Sequence, residues 1–418
     1  MSDTFVPVTK NPPAKVKDPG IIALVMAGAG VYNAKNAELL LLPEGRSLLS
    51  QLRESFFASL LSGPGFQPSD CMDSETAVYS LAERYVRECG DRALLWSQSQ
   101  NRLFRMHGWF SDFKAAGGSA AESMAALKNA LSAQLKDVSF VTKIVPKKER
   151  TWMIAAETEK GAERAEAGYR CASCGEIFCA DSRFESKEAP VNAGAAAEPV
   201  TDVHTPGTHT IQLLCEYLNI PIETTLKAML YTVESPGGGK KLLFAMIRGD
   251  RDISVSKLSA WLEANDPGAT FRRAETAEIV ESFGEVAGFC GPVGVPDNVQ
   301  MVADVSLKDG KNFVVGGNRP DYHRTGCCWG RDFEPPLADL ALFHEGLPCP
   351  SCGGKLEETW LRNLGEIGVY QAGAAGETTL SCRDRDGLRE WPYRLSAAIS
   401  LESVLLSIFE RRMQKTAV

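Results

Sequence analysis

The chain has 418 residues, of which 44% are hydrophobic and 23% charged, and a net charge of −8. That length accommodates about two or three domains with cores of their own, and the composition is that of an ordinary soluble globular protein. The negative balance argues against broad nonspecific nucleic-acid binding while allowing local basic patches. The opening Met1-Ser2-Asp3-Thr4 lacks the pattern of a signal peptide, and the chain has no apolar run long enough to span a bilayer, so a cytoplasmic protein with no membrane partner is expected.

Residues 1–20 hold Pro7, Pro12 and Pro13 among mostly polar residues and close on Pro19-Gly20, which reads as a flexible arm. Leu48, Leu49, Leu52, Phe56, Phe57, Leu60 and Leu61 then recur at helical spacing, and Ser62-Gly63-Pro64-Gly65 ends that helix. A second helix is expected over 74–89, with Ala77, Leu81, Ala82 and Tyr85 on one face. Residues 92–113 are strand-like. A helix capped by Ser119 is expected next, with Glu122 three residues on and Met124, Leu127, Leu131 and Leu135 on one face. All these stripes read as core.

Eight of the twelve cysteines are scattered through helix and strand patterns, which suits a reducing compartment. The other four form Cys171-x-x-Cys174-Gly175 and Cys349-Pro350-x-Cys352-Gly353-Gly354. Each pair offers two thiolates from a tight turn, and the following glycine lets backbone amides curl toward sulfur. Two such turns make a tetrahedral four-thiolate zinc site, structural because no position is left open for water. Ordinary buried cysteines are the other reading. Adjacent Cys327 and Cys328 read as packing residues.

Between the two pairs the pattern alternates. A helix is expected at 209–218, a strand from Lys227, a strand at 241–248, helices at 254–264 and 276–283, and strands near 299–305 and 312–316. This mixture suits a compact α/β domain. The flanking pairs suggest that it is inserted into another body.

The same block carries six phrases in order: His204-Thr205-Pro206-Gly207, Thr225-Leu226-Lys227, Ile247-Arg248-Gly249-Asp250, Gly291-Pro292-Val293-Gly294-Val295-Pro296, Asn312-Phe313-Val314-Val315-Gly316-Gly317-Asn318 and Asp321-Tyr322-His323, closed by Trp329-Gly330-Arg331-Asp332. In this it resembles the inserted, YbaK-like editing domain of bacterial prolyl-tRNA synthetase, which hydrolyses alanine wrongly attached to proline tRNA. The fold class implied is α/β (α+β), a class II synthetase-like antiparallel-sheet body interrupted by an inserted editing domain, with the four-cysteine zinc site at the junction. The corresponding boundaries are 1–170 for the first part of the body, 171–202 for a zinc turn and linker, 203–333 for the editing-like domain, and 334–418 for the second zinc turn and the rest of the body.

The resemblance implies roles for single residues. Lys227 matches the editing lysine, an ammonium that binds the terminal ribose or phosphate and steadies the ester; a lysine snorkelling from a strand edge is the alternative. His323 matches a histidine that helps position the substrate, though a lone histidine is often a structural hydrogen-bonder. Gly291, Pro292 and Gly294 belong to a rigid loop suited to binding an ester carbonyl, or to an ordinary turn. Thr205 and Asp304 stand at positions that line the family's pocket, and each could instead be a cap. The implied mechanism has no enzyme nucleophile: water attacks an ester held in a pocket too small for proline.

The flanking body departs from the family. Leu364-Gly365-Glu366-Ile367-Gly368-Val369-Tyr370-Gln371 takes the place of a Gly-His-Ile-Phe-Gln-Leu-Gly strand, and Ala398-Ile399-Ser400-Leu401-Glu402-Ser403 that of the Gly-Ile-Gly-Val-Ser-Arg motif. Without those glycines and that arginine, ATP binding and proline activation are not expected. The chain ends at Val418, directly after this motif, so an anticodon-binding domain is expected to be missing. The implied function is an aminoacyl-tRNA deacylase acting on tRNA, with the body as scaffold, homodimerisation surface or tRNA platform. A catalytically inactive paralogue serving as a binding module is the rival reading, and a body that binds another small molecule is a third.

Overall fold

The computed structural model describes residues 13, 16–33, 38–61, 67–68, 92–99, 103–110, 113–132, 135, 138–143, 150–162, 165–183, 188–284, 288–371, 380–384 and 387–416. The chain forms two compact units: one of Met1–Cys171, Gly175–Cys179 and Glu357–Val418, the other of Ala172–Cys174 and Ala180–Leu356. Among the described residues, no helix is long and apolar enough to cross a membrane.

The first unit is built on an antiparallel sheet in which Arg92–Ser99, Leu103–Phe110, Tyr393–Ser400, Leu356–Gln371, Arg150–Thr158 and Val138–Lys143 lie side by side in that order. Helices Pro19–Met26, Pro43–Leu61, Phe113–Ser132 and Leu401–Thr416 bring Leu24, Leu52, Leu127 and Leu405 into one core with strand residues such as Phe104, Ile154 and Ile367. Ser400, at the position where the motif glycine was missed, accepts a hydrogen bond from the Ser403 amide at 3.2 Å and so caps the last helix.

Two sequence expectations change here. The expected arm ends before Asp18, whose carboxylate accepts from the Ile21 amide at 2.8 Å, and Pro19 starts a helix. A proline with no N–H is well placed at the first helical position, so Pro-Gly marks a beginning and not a break. The helix expected to begin at a Ser119 cap begins at Phe113 and runs through Gly117 and Gly118. Ala116 and Ala120, one turn apart, are both fully buried, and that packing offsets the roughly 1 kcal/mol that each glycine costs a helix. The helix expected over 74–89 lies outside the described residues.

The second unit holds a five-stranded sheet in the order Thr270–Arg273, Leu226–Glu234, Lys240–Arg248, Val299–Asp304, Leu337–Ala338, antiparallel over the first three strands and parallel over the rest. A smaller antiparallel sheet pairs Thr201–His204 with Tyr322–Cys327, and that strand with Phe313–Gly316. Lys240–Arg248 is buried on both faces, which explains its unbroken apolar run. Leu242, Phe244 and Met246 join one core with Phe313 and Val315, while Leu243, Ala245 and Ile247 join another with Leu258 and Val302.

The unit runs beyond the 203 and 333 expected from sequence. Asp181 accepts from Ser254 Oγ at 2.5 Å, and Glu188 receives Arg248 and Arg251. Further along the same segment, the Asn312 side chain donates to Ala196 O at 2.9 Å. At the other end, the fully buried side chain of Lys257 donates to Asp339 Oδ1 at 2.7 Å and to Ala341 O at 2.6 Å. Between Ala180 and Val200 the described residues are thus fastened to the unit at Asp181, Glu188 and Ala196.

In the first unit, Arg362 donates to Asp18 at 2.9 Å and to Glu410 at 2.9 Å, all three groups being nearly inaccessible. Burial raises the Glu410 carboxyl above its ordinary value against the opposing pull of Arg362. Replacement of Arg362 by leucine leaves two buried carboxylates without this cation, so urea unfolding should show a loss of about 3–5 kcal/mol. A stability equal to wild type would contradict this account of the cluster.

Candidate functional site

A cavity of about 200 Å³ opens in the second unit. Helix Ile211–Leu218, capped by Thr210, contributes Ile211 and Leu214, and strand Leu226–Glu234 contributes Lys227 and Leu230. Cys290, Gly316 and His323 also line it. The sequence reading had singled out two of these, Lys227 and His323.

The Lys227 ammonium donates to Arg251 O at 2.8 Å and to Asp252 Oδ1 at 2.8 Å, with a quarter of its side chain exposed. It is pinned rather than trailing into solvent. Its carbonyl partner belongs to the turn Gly249–Asp252, which is itself tightly held. Gly249 donates its amide to Thr225 O at 2.8 Å, and a Cβ there would stand 1.9 Å from Thr225 Oγ1, so only glycine fits. Arg248 grips Asp250 with two bonds of 2.6 and 2.8 Å. Burial would raise the Asp250 carboxyl, but the bonds and charge of Arg248 hold it below its ordinary value. Arg251, with no exposed side-chain surface, meets Glu188 at 2.5 Å.

His323 is 7% exposed, and its Nδ1 stands 2.7 Å from Thr205 Oγ1. Burial pushes its pKa down to about 4, so the ring is neutral near pH 7. Thr205 is fully buried, and its amide donates to Asp321 O at 2.8 Å. It therefore adjoins the cavity through His323 without lining it.

The remaining predicted residues do not line the cavity. The Gly291 amide donates to Asn318 Oδ1 at 2.7 Å, and Asn318 Nδ2 donates to Val293 O at 2.8 Å, so this loop is stapled to the turn facing it. A Cβ on Gly291 would lie 1.8 Å from Gly316 O, which makes close backbone approach the reason for glycine. Pro292 is buried beside it, and Gly294 takes a φ of 80° with open space around it. Asp304, expected in the pocket, is fully buried elsewhere. Its carboxylate accepts from the amides of Ser306 at 2.9 Å, Leu340 at 2.8 Å and Ala341 at 3.0 Å, clamping backbone segments together.

Sequence reasoning missed Glu188, Arg251, His209 and Cys290. A charged run such as Arg248-Gly249-Asp250-Arg251 hints at the turn, whereas Glu188 has no local signal because its partners lie some sixty residues on. Cys290 is buried in the cavity wall, and desolvation pushes its thiol up to about 11. Cys327, raised to about 12 by burial, is a packing residue.

The sulfurs of Cys171, Cys174, Cys349 and Cys352 all lie within 4.8 Å of one another, Cys174 and Cys349 at 3.7 Å. Sulfurs at the ~2.3 Å Zn–S distance of a tetrahedral site stand ~3.8 Å apart, so the set fits a metal ion. Gly175 and Gly353 both adopt positive φ, at 74° and 77°, and the Gly354 amide donates to Cys352 Sγ at 3.4 Å. The two turns are joined by Ala172 N donating to Lys355 O at 3.0 Å.

The neutral His323 has a consequence for stability. Unfolded imidazole takes up a proton near pH 6.5 and the folded ring only near 4, so this contribution is complete above pH 6.5 and is lost as the pH falls toward 4. The loss should amount to roughly 3 kcal/mol. Unfolding free energies measured across that range should show this component in wild type and lack it in His323→Gln; identical profiles would rule it out.

Residues 205–333 match the family model of the aminoacyl-tRNA editing domain. The chain is 41% identical to a proline–tRNA ligase of Kosmotoga olearia over 166 residues, which is 40% of this chain and 27% of the ligase. It is 38% identical to that of Paraburkholderia xenovorans over 50% of this chain and 37% of the ligase, and 32% identical to that of Aquifex aeolicus over 58% and 41%. The chain thus spans well under half the length of these relatives. A solved structure described as a candidate trans-editing enzyme for prolyl tRNA synthetase overlaps 34% of this chain and 86% of its own at 17% identity, with a TM-score of 0.29. The chain is thus similar over part of its length to proline–tRNA ligases, and its residues 205–333 match the aminoacyl-tRNA editing domain.

Proposed function

We propose that the chain is an aminoacyl-tRNA ester hydrolase that clears mischarged tRNA, with Ala-tRNA(Pro) as substrate, and that it does not activate proline. The observation that carries this reading is that a pinned Lys227 and a neutral His323 line the same small cavity, within residues matched to the editing family. A preorganised cation stabilises negative charge developing on the ester oxygens when water attacks, and two fixed partners keep it from reorganising. Thr205 supports His323, while Gly291, Pro292, Gly294 and Asp304 serve by shaping and holding the backbone around the site. A cytoplasmic location follows from a tRNA substrate.

In the same reading, the four cysteines hold one structural zinc, the editing-like unit is inserted into a class II-like body, and that body acts as scaffold, dimerisation surface or tRNA platform. Four thiolate ligands saturate the ion, which leaves it no catalytic position. ATP is not a cofactor in this account, because Ser400 and Ser403 stand where a nucleotide-binding motif needs glycine and arginine.

Lys227→Ala should lower the rate of Ala-tRNA(Pro) hydrolysis on the order of a hundredfold or more, with fold and metal content unchanged. A wild-type protein that hydrolyses no aminoacyl-tRNA would favour a binding module, and an alanine variant as fast as wild type would remove Lys227 from the mechanism. Metal analysis of protein purified without chelator should give one zinc per chain, and Cys349→Ser should lower that content. Zinc-free wild-type protein of full stability would refute the structural ion.

A further inference from the structure

We propose that Thr205 holds His323 as the tautomer protonated on Nε2, so that His323 donates a hydrogen bond to an oxygen of the bound ester and has no basic lone pair with which to take a proton from water. The role toward the ester rests on the editing reading above, whereas the tautomer rests on the protein alone.

Thr205 has no exposed surface, so its hydroxyl must find its acceptor inside the protein. Two are within reach, His323 Nδ1 at 2.7 Å and Asp321 O at 3.4 Å. The Asp321 carbonyl already accepts the Thr205 amide at 2.8 Å. If Nδ1 carried the proton, it would donate to the hydroxyl, and the hydroxyl hydrogen would be left with the long contact at 3.4 Å. If the hydroxyl donates to Nδ1, one short bond satisfies both groups and the proton resides on Nε2. With Nδ1 occupied, the Nε2 edge is what His323 offers to the cavity it lines.

The surroundings keep this arrangement from titrating away. Burial holds the ring neutral well below pH 7, and Phe289 packs against it in an edge-type contact with ring centroids 5.6 Å apart. A neutral Nε2–H selects an acceptor, an ester or ribose oxygen, and rejects the ammonium end of an aminoacyl group. Lys227, the other polar hydrogen donor argued for this cavity, has the same preference. Both groups therefore address the oxygens of the ester linkage, and Thr205 is a positioning residue that acts through His323.

The full chain labelled with ¹⁵N-histidine tests this, since the chain has five histidines and His323→Gln identifies the signal. At about pH 7, His323 should show Nδ1 in the unprotonated range and Nε2 in the protonated range. Thr205→Ser should preserve that pattern, and Thr205→Val should move His323 to a mixture or to the Nδ1-protonated form. A wild-type ring protonated on Nδ1, or a Thr205→Val spectrum identical to wild type, overturns the assignment. If the valine variant does not fold, the wild-type and serine spectra decide. For the role toward the ester, kcat for Ala-tRNA(Pro) should have no acid limb that disappears in His323→Gln, and finding one would make His323 a base. Wild-type protein inactive on every aminoacyl-tRNA would sink the editing reading and the ester contact with it, while the tautomer would still be decided by the spectra.

Discussion

The candidate site depends on a buried ionic knot in which Glu188 meets both Arg248 and Arg251. A fully buried guanidinium such as that of Arg251 cannot stay in the interior without a counter-charge, because desolvation would otherwise dominate. Burial and the neighbouring Arg248 charge do lower its pKa, and the Glu188 carboxylate works against both. With both arginines tied to Glu188, the turn between them has little freedom. Its Arg251 carbonyl becomes a fixed acceptor for Lys227. The electrostatics of the cavity thus begin with a residue that lies outside the matched domain and makes no contact with the cavity itself.

A second constraint is steric and acts on the opposite wall. The backbones at Gly291 and Gly316 approach so closely that a side chain on Gly291 would collide with a carbonyl oxygen. Asn318, itself at positive φ, bonds to both Gly291 and Val293 and keeps that approach in register. The wall presents Cys290 and Gly316 to the cavity as a result. The glycine-proline loop therefore shapes the site by packing rather than by offering free amides, and its sequence signature is the same in either case.

Much of the local structure was legible because it follows short-range rules. The helices expected at 209–218 and 254–264 form as Ile211–Leu218 and Val255–Asn265, started by Thr210 and Ser254, whose side-chain oxygens accept amides three residues on. The strand Lys240–Arg248 could be seen as an apolar run, but that it is covered on both faces depends on which elements pack there. The Pro19-Gly20 start follows a local rule as well, a proline at the first helical position after the Asp18 cap, whereas the glycines within Phe113–Ser132 were misread for a tertiary reason. Local propensity is a weak prior, and burial of residues one turn away overrides it.

From sequence alone came the alternation of elements, the two paired cysteine turns, the order of motif phrases between them, and Lys227 and His323 as polar residues to watch. These are properties of residue type and spacing. The tertiary structure decided what each residue faces. It sent Asp304 to three backbone amides, turned Gly291 toward Asn318, placed Thr205 behind His323, and brought Glu188 to two arginines from far along the chain. A carboxylate that clamps backbone and one that lines a pocket look alike in a sequence, since only the fold determines which donors lie within about 3 Å of it.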